Sequence, residues 1–166
     1  ATGHGQLEAM RVLVNKLKRV VHVKKDNDGK TALHEASAFE QLEAMEMLVN
    51  ELGLDVDVTD DEGRTALHMA SELGQLEAMR VLVNKLKLDV HVKDNNGRTA
   101  LHYASAFEQP EAIQMLVNEL GLNVDVRDHY GRTALHAATA HGQLEAMRVL
   151  VNKLKLDVHV KKDNDG

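Results

Sequence analysis

Apolar and polar residues alternate along this chain with two different spacings, and both occur inside one recurring block. In the block around Gly63, the segment Val56-Asp57-Val58 alternates apolar and polar residues as a strand does, and Gly63 follows as a turn signal. Further on, apolar residues recur every three or four positions, which is the spacing of one helix face. These residues are Leu76, Met79, Leu82, Val83 and Leu86. The pattern predicts a hairpin-like finger and an amphipathic helix.

A second, shorter helix is predicted between the finger and the amphipathic helix. Thr65 is a good N-cap residue, so this helix should run from Ala66 to about Leu73. Gly74 can adopt the left-handed conformation that ends helices. The amphipathic helix should then run from about Leu76 to Lys87. In another block Pro110 replaces Leu76, and proline is tolerated in a first helical turn, which supports the same boundary.

The block recurs with a fixed period, which predicts a solenoid in which each unit contacts only its neighbours. The tetrapeptide Thr-Ala-Leu-His occurs four times, 34 residues apart, starting at Thr31, Thr65, Thr99 and Thr133. We therefore divide the chain, residues 1–166, into a partial unit and four full units. The partial unit is 1–30, and the full units are 31–64, 65–98, 99–132 and 133–166.

These repeated motifs resemble the ankyrin repeat. The resemblance rests on T-A-L-H-x-A, on G-Q-L-E-A-M-x-x-L-V-N and on the closing D-V-x-V-x-D-x-x-G, and it covers the whole chain. It implies an all-α solenoid of helix-turn-helix units with short β-hairpin fingers. It also implies that finger tips and short helices line a concave face that binds protein partners. Two departures are Glu40 and Glu108, which stand where the family usually has glycine between the helices, and the second helix is about one residue longer than usual.

Composition excludes several other functions. The net charge of −6 argues against nucleic acid binding, which needs a basic face. No apolar run approaches the roughly 20 residues of a membrane span. The acidic balance favours a basic partner surface, mainly through the encounter rate. The absence of cysteine is typical of a reducing compartment, so we expect an intracellular (cytoplasmic or nuclear) location for a natural protein, or else an engineered one.

Charges alternate from unit to unit, which predicts attraction between stacked units. The columns run Arg11, Glu46, Arg80, Gln114, Arg148; then Lys16, Glu51, Lys85, Glu119, Lys153; and His22, Asp57, His91, Asp125, His159. Exposed pairs of this kind contribute only about 0.2–1 kcal/mol each. Duplication of a pair of units explains the alternation equally well. Because neither end carries an evidently polar capping unit, end-to-end self-association is also expected.

No catalytic or metal-binding motif is recognisable, so we expect no enzyme activity, no metal and no cofactor. The histidines of the four T-A-L-H motifs are structural in the family that the chain resembles. The segment His34-Glu35-Ala36-Ser37 lacks the second histidine of H-E-x-x-H. The acidic finger tips lack the alternating ligands of a calcium loop.

Residues that vary at otherwise repeated positions are the candidates for partner binding. By the resemblance, the binding set on the concave face is Met69, Leu73, Tyr103, Phe107, His129 and Tyr130. Aromatic residues on a rigid exposed surface are typical interface anchors. In the alternative, Phe39, Leu73 and Phe107 pack between the short helices and only the tyrosines are exposed. The leading function is a protein-binding scaffold, and the alternative is an engineered or spacer-type structural array without a dedicated partner.

Overall fold

A computed structural model describes residues 5–6, 8–9, 11–13, 15–16 and 25–153. Within 25–153 the chain forms four consecutive pairs of helices. The short helices are α1 (Ala32–Ala38), α3 (Ala66–Leu73), α5 (Ala100–Ala106) and α7 (Ala134–Ala140). The long helices begin as α2 (Leu42–Glu46), α4 (Leu76–Arg80), α6 (Pro110–Gln114) and α8 (Leu144–Arg148). Each long helix continues directly into one π-helical segment, at Met47–Glu51, Val81–Lys85, Met115–Glu119 and Val149–Lys153.

The short helices begin and end where the sequence predicts. Thr65 is the extended N-cap of α3, and its backbone N–H donates to Nδ1 of His68 at 3.0 Å. Gly74 ends α3 in the left-handed conformation, with φ of 69°. The histidine at the third helical position thus does the work that Glu or Gln does in the usual capping box. The all-α assignment is confirmed.

The π-helical segments explain how the unusually long second helix fits. At the end of the π-helical segment that follows α4, the N–H of Leu86 donates to the carbonyl oxygen of Val81, five residues earlier, at 2.9 Å. A single extra residue in an α-helix is commonly accommodated as one such turn. The same bond joins Leu52 to Met47 and Leu120 to Met115. The sequence predicts that this helix reaches about Lys87. In the structure it ends at Lys85, and its last segment is the π turn.

Glu40 and Glu108 close their helix-helix turns without glycine. Both adopt the left-handed conformation, with φ of 55° and 57°. Each carboxylate reaches the next unit: Oε1 of Glu40 accepts the N–H of Glu77, and Oε1 of Glu108 accepts the N–H of Ala146, both at 2.8 Å. A carboxylate that accepts amides in the first turn of a helix stabilises that helix end. These two residues therefore cap the long helix of the following unit.

The fingers are built from turns, and no strand occurs in the described part of the chain. Oδ1 of Asp60 accepts the N–H groups of Glu62 and Arg64, at 3.0 and 2.8 Å. Oδ1 of Asp55 similarly accepts the N–H of Asp57. Aspartate side chains thus bind backbone groups that a ladder would use, which is why the strand-like V-x-V pattern does not produce the expected β-hairpins. Adjacent finger tips are joined by single backbone bonds, such as His129 N–H to the carbonyl of Asn96 at 2.9 Å.

The core lies between units and is built from Leu, Met, Ile, Val and Ala. Leu82, Leu116 and Leu150 occupy equivalent positions and are fully buried, each in a unit that follows a described full unit, and Leu48 at the same position is partly buried. The equivalent Leu13 in the partial unit is 56% exposed. Burial at this position therefore depends on stacking, as expected for a solenoid.

The charge pairs differ from the predicted columns. Arg80 donates to both carboxylate oxygens of Glu119, at 3.1 and 3.0 Å, and Lys85 pairs with Glu46 at 2.9 Å. Each of these pairs joins one column to the other, because long flexible side chains reach beyond the residue directly opposite. His91 pairs with Asp89 of its own loop at 3.1 Å. His22 and His159 lie outside the described residues.

Candidate partner-binding surface

The structure divides the six predicted binding residues into an exposed group and a buried group. Phe107 is 47% and Tyr130 58% exposed, and Leu73 and His129 are exposed as well. Met69 and Tyr103 are buried, Tyr103 to 6% exposure. The alternative in which the phenylalanines and Leu73 pack inside while both tyrosines are exposed is wrong, because Phe39, Leu73 and Phe107 are all exposed.

Tyr103 is buried because its hydroxyl has a partner in the preceding finger. The hydroxyl donates to Oδ2 of Asp94 at 2.6 Å, and the ring meets the edge of His68 with centroids 5.2 Å apart. Burial raises the pKa of Tyr103, and the bond to Asp94 raises it further. Buried tyrosine hydroxyls normally find such a partner. Tyr103 is therefore a rigid support for its neighbours on the surface.

Phe107 lies in a short row of rings that crosses two units. Its ring stacks on Tyr103, with centroids 6.5 Å apart and planes inclined by 6°. On its other side lies His141, with centroids 6.4 Å apart. His141 is the residue of the next unit that corresponds to Phe107, so the period of 34 residues was the signal that could have placed it in the site. The row fixes an exposed aromatic ring on a rigid base.

These rings border a pocket of about 260 Å³ between the short helices and the fingers, which we call the Phe107 pocket. Its apolar side is formed by Tyr103, Phe107 and His141, and arginines approach from the fingers. The full lining is Glu62, Arg64, Glu72, Arg98, His102, Tyr103, Ala106, Phe107, Asp128, Arg132, His136, Ala137, Ala140 and His141. The arginines Arg64, Arg98 and Arg132 do not stand out in the sequence, because they repeat at one position of the unit as framework residues do.

The remaining predicted residues, Met69, Leu73, His129 and Tyr130, do not line the pocket. Tyr130 is on the next finger, where the guanidinium of Arg132 lies 5.8 Å from its ring centroid. Arg132 also lines the pocket, so it connects Tyr130 with Phe107. Of the six predicted residues, the structure places Tyr103 and Phe107 in the pocket lining, with Tyr130 adjoining through Arg132.

Buried histidines hold the short helices against the following fingers. Nε2 of His34, His68 and His102 donates to the carbonyl oxygens of Arg64, Arg98 and Arg132, at 2.7, 2.9 and 2.9 Å. Nδ1 of each accepts the N–H of its own threonine cap. Burial lowers the pKa of all three, which keeps the rings neutral. Their structural role agrees with the prediction, and they position the fingers that carry the pocket arginines.

Two other kinds of site are absent from the described residues. No group of three or more histidine, aspartate or glutamate side chains there is arranged to hold a metal ion. Over the same residues, no helix is long and apolar enough to cross a membrane.

Comparison with known proteins gives a family. The family model for ankyrin repeats matches the chain in three copies, over residues 1–60, 52–128 and 86–162. No curated protein matches the sequence.

Proposed function

Because this chain belongs to the ankyrin-repeat family, we propose that it is a non-enzymatic scaffold that binds one protein partner through its concave face. Repeats of this family are generally protein–protein interaction modules. The proposal assigns the binding surface to the Phe107 pocket and the adjoining finger that carries His129 and Tyr130.

The observation that carries this proposal is the exposure of Phe107 on a stacked, rigid base. An aromatic ring that has lost most of its conformational freedom before binding is a favourable anchor, because less entropy is lost on association. Tyr130 lies on the same side and is exposed beside Arg132. Leu73 adds exposed apolar surface one unit upstream, at the end of the helix that carries the buried Met69.

Affinity capture from a cell lysate tests the proposal, using the parent chain and a Phe107→Ala/Tyr130→Ala variant. Tyr103 is left intact because it is buried and its removal would disturb the fold. Phe39→Ala is the matched control, since Phe39 occupies the position of Phe107 in another unit and is also exposed. Circular dichroism verifies equal helicity in all three.

A protein held by the parent and by Phe39→Ala, but lost by the double variant, is the expected result. A protein retained by the double variant would place binding elsewhere. Recovery of no specific protein would favour the structural array without a dedicated partner.

End-to-end self-association is a second proposal, favoured by apolar side chains near both ends of the described structure. Val12 and Leu13 are more than half exposed at one end, and Leu144 is exposed at the other. Sedimentation velocity should show a mass that rises with concentration, and a constant monomer mass over the accessible range would contradict it.

A further inference from the structure

We propose that the Phe107 pocket binds an acidic side chain of the partner, an aspartate or glutamate next to an apolar or aromatic residue. The inference deepens the proposed function and rests on it. Two arginines that occupy the same position in successive units, Arg64 and Arg98, differ in their contacts.

Arg64 and Arg98 are equivalent residues, and only one of them is fully paired within the chain. Nε of Arg64 donates to Oδ2 of Asp60 at 2.7 Å, and the arginine side chain is 15% exposed. Nε of Arg98 lies 3.4 Å from Oδ2 of Asp94, and the side chain is 41% exposed. This Nε atom is buried without a hydrogen-bond partner. The exposed terminal nitrogens of this guanidinium can donate to a carboxylate of a ligand, as arginine forks commonly do.

The cause of this difference is Tyr103. Its hydroxyl donates to the same Oδ2 of Asp94 that Arg98 would otherwise use. In the preceding unit the corresponding residue is Met69, which has no hydroxyl and leaves Asp60 to Arg64. Tyr103 therefore takes the acceptor that Arg64 uses in its own unit, and Arg98 keeps only the longer contact of 3.4 Å with Asp94. The guanidinium carbon of Arg98 lies 5.8 Å from the Tyr103 ring centroid.

A second cation and an apolar surface complete the arrangement. Arg132 reaches the pocket from the following finger and is exposed. Two arginines that converge on one cavity can bind a carboxylate with paired charge-assisted bonds. The exposed ring of Phe107 lies in the same lining, so an apolar side chain adjacent to the carboxylate would contact it.

The acidic residues of the lining are already engaged with other groups. Glu62 and Glu72 lie 3.8 and 3.9 Å from the guanidinium of Arg64. Oδ1 of Asp128 accepts the backbone N–H groups of Tyr130 and Arg132, both at 2.9 Å. The net charge of −6 would repel an acidic ligand over long distances, where salt screens it. The contacts of Arg98 and Arg132 with a carboxylate would act at short range.

The test uses three dipeptide probes that differ at one side chain: N-acetyl-Asp-Phe-amide, N-acetyl-Asn-Phe-amide and N-acetyl-Lys-Phe-amide. Binding is followed by NMR on the full chain, through the Nε–Hε signal of Arg98 and the ring signals of Phe107. We expect the Asp probe to shift both signals and to bind about tenfold more tightly than the isosteric Asn probe. The Lys probe should bind more weakly still.

Two variants make the test specific. Arg98→Gln should remove the preference for Asp over Asn. Tyr103→Phe should weaken binding of the Asp probe severalfold, because Arg98 can then return to Asp94 as Arg64 does to Asp60. Tyr103→Phe keeps the ring, and Arg98→Gln keeps part of the methylene stem and a polar end without the charge. The helicity of both variants is checked by circular dichroism.

Equal affinity for the Asp and Asn probes, or preference for the Lys probe, would overturn the inference. Either result leaves the proposed function intact if the lysate capture still depends on Phe107 and Tyr130. If instead the capture fails while the Asp probe binds, the pocket takes a carboxylate but the assignment of a protein partner is wrong.

Discussion

Replacement of Glu108 tests whether a carboxylate from one unit stabilises the helix of the next. In Glu108→Ala, the residue keeps its left-handed conformation, φ of 57°, but loses the bond to the N–H of Ala146. The loss of a helix N-terminal cap costs typically about 1 kcal/mol. Glu108→Ala should therefore lower the free energy of unfolding by about that amount.

The Glu108→Gly variant distinguishes the contribution of this hydrogen bond to stability from the contribution of backbone strain. A non-glycine residue in the left-handed region costs about 1 kcal/mol, which glycine avoids. Glycine thus loses the cap but relieves the strain, and the variant should lie within about 0.5 kcal/mol of the parent. Glu108→Gln keeps an oxygen acceptor without the charge and should fall between parent and alanine.

Urea unfolding, followed by circular dichroism at 222 nm (the usual helix wavelength), measures all three variants. The corresponding set at Glu40 serves as an independent repeat, because Glu40 accepts the N–H groups of Glu77 and Ala78 in the first turn of the next long helix. An alanine variant as stable as the parent at both positions would refute the capping account. A glycine variant clearly less stable than alanine would refute the strain estimate.

Three further predictions concern acid, stacking and finger contacts. Burial lowers the folded-state pKa of the three buried T-A-L-H histidines from the usual 6.5, so the unfolded chain binds more protons than the folded chain below that pH. The free energy of unfolding should therefore be constant above about pH 7 and fall below about pH 6.5, by up to roughly 1.4 kcal/mol per pH unit for each histidine. Urea midpoints measured against pH test this. Leu116→Ala should lower the free energy of unfolding by about 2–5 kcal/mol, and Leu13→Ala, at the equivalent exposed position, by under about 0.5 kcal/mol. Equal losses for the two variants in urea unfolding would contradict burial that depends on stacking. Gly97→Ala should lower the thermal unfolding midpoint more than Gly121→Ala. Both glycines have positive φ, but only at Gly97 would a Cβ lie 2.9 Å from the backbone nitrogen of His129. Equal midpoints for the two variants would argue against close packing of the fingers.

The periodic parts of the fold were predictable from sequence because each unit repeats the same local chemistry. Thr65 and Gly74 mark the ends of α3 as N-cap and left-handed C-cap residues, and both functions depend on nearest neighbours in sequence. The apolar spacing from Leu76 to Leu86 likewise indicates which helix face is buried.

Features that depend on two groups competing for the same backbone hydrogen bonds could not be predicted from the sequence in this way. The V-x-V segment has strand-like alternation, yet aspartates such as Asp55 and Asp60 bind the backbone first and produce turns. The extra residue of the long helix was visible as a length difference, but its accommodation as a π turn requires the backbone hydrogen bonds.

The candidate site was found only in part, for a similar reason. Tyr103 and Tyr130 both interrupt the repeat, but whether each ring is exposed depends on which acceptor lies within reach of its hydroxyl. Tyr103 reaches Asp94 and is buried, and in doing so changes the surroundings of Arg98. Because arginine recurs at that position in every full finger described, the sequence gives no sign that Arg98 differs from Arg64.

Amide hydrogen exchange on the complex with the captured protein tests the central claim most directly. The account predicts added protection, relative to the free chain, in α5, α7 and the fingers at 94–97 and 128–131. The long helices α4, α6 and α8 should exchange as they do in the free chain. Protection confined to the long helices would show that the partner binds the opposite face, and would contradict the account.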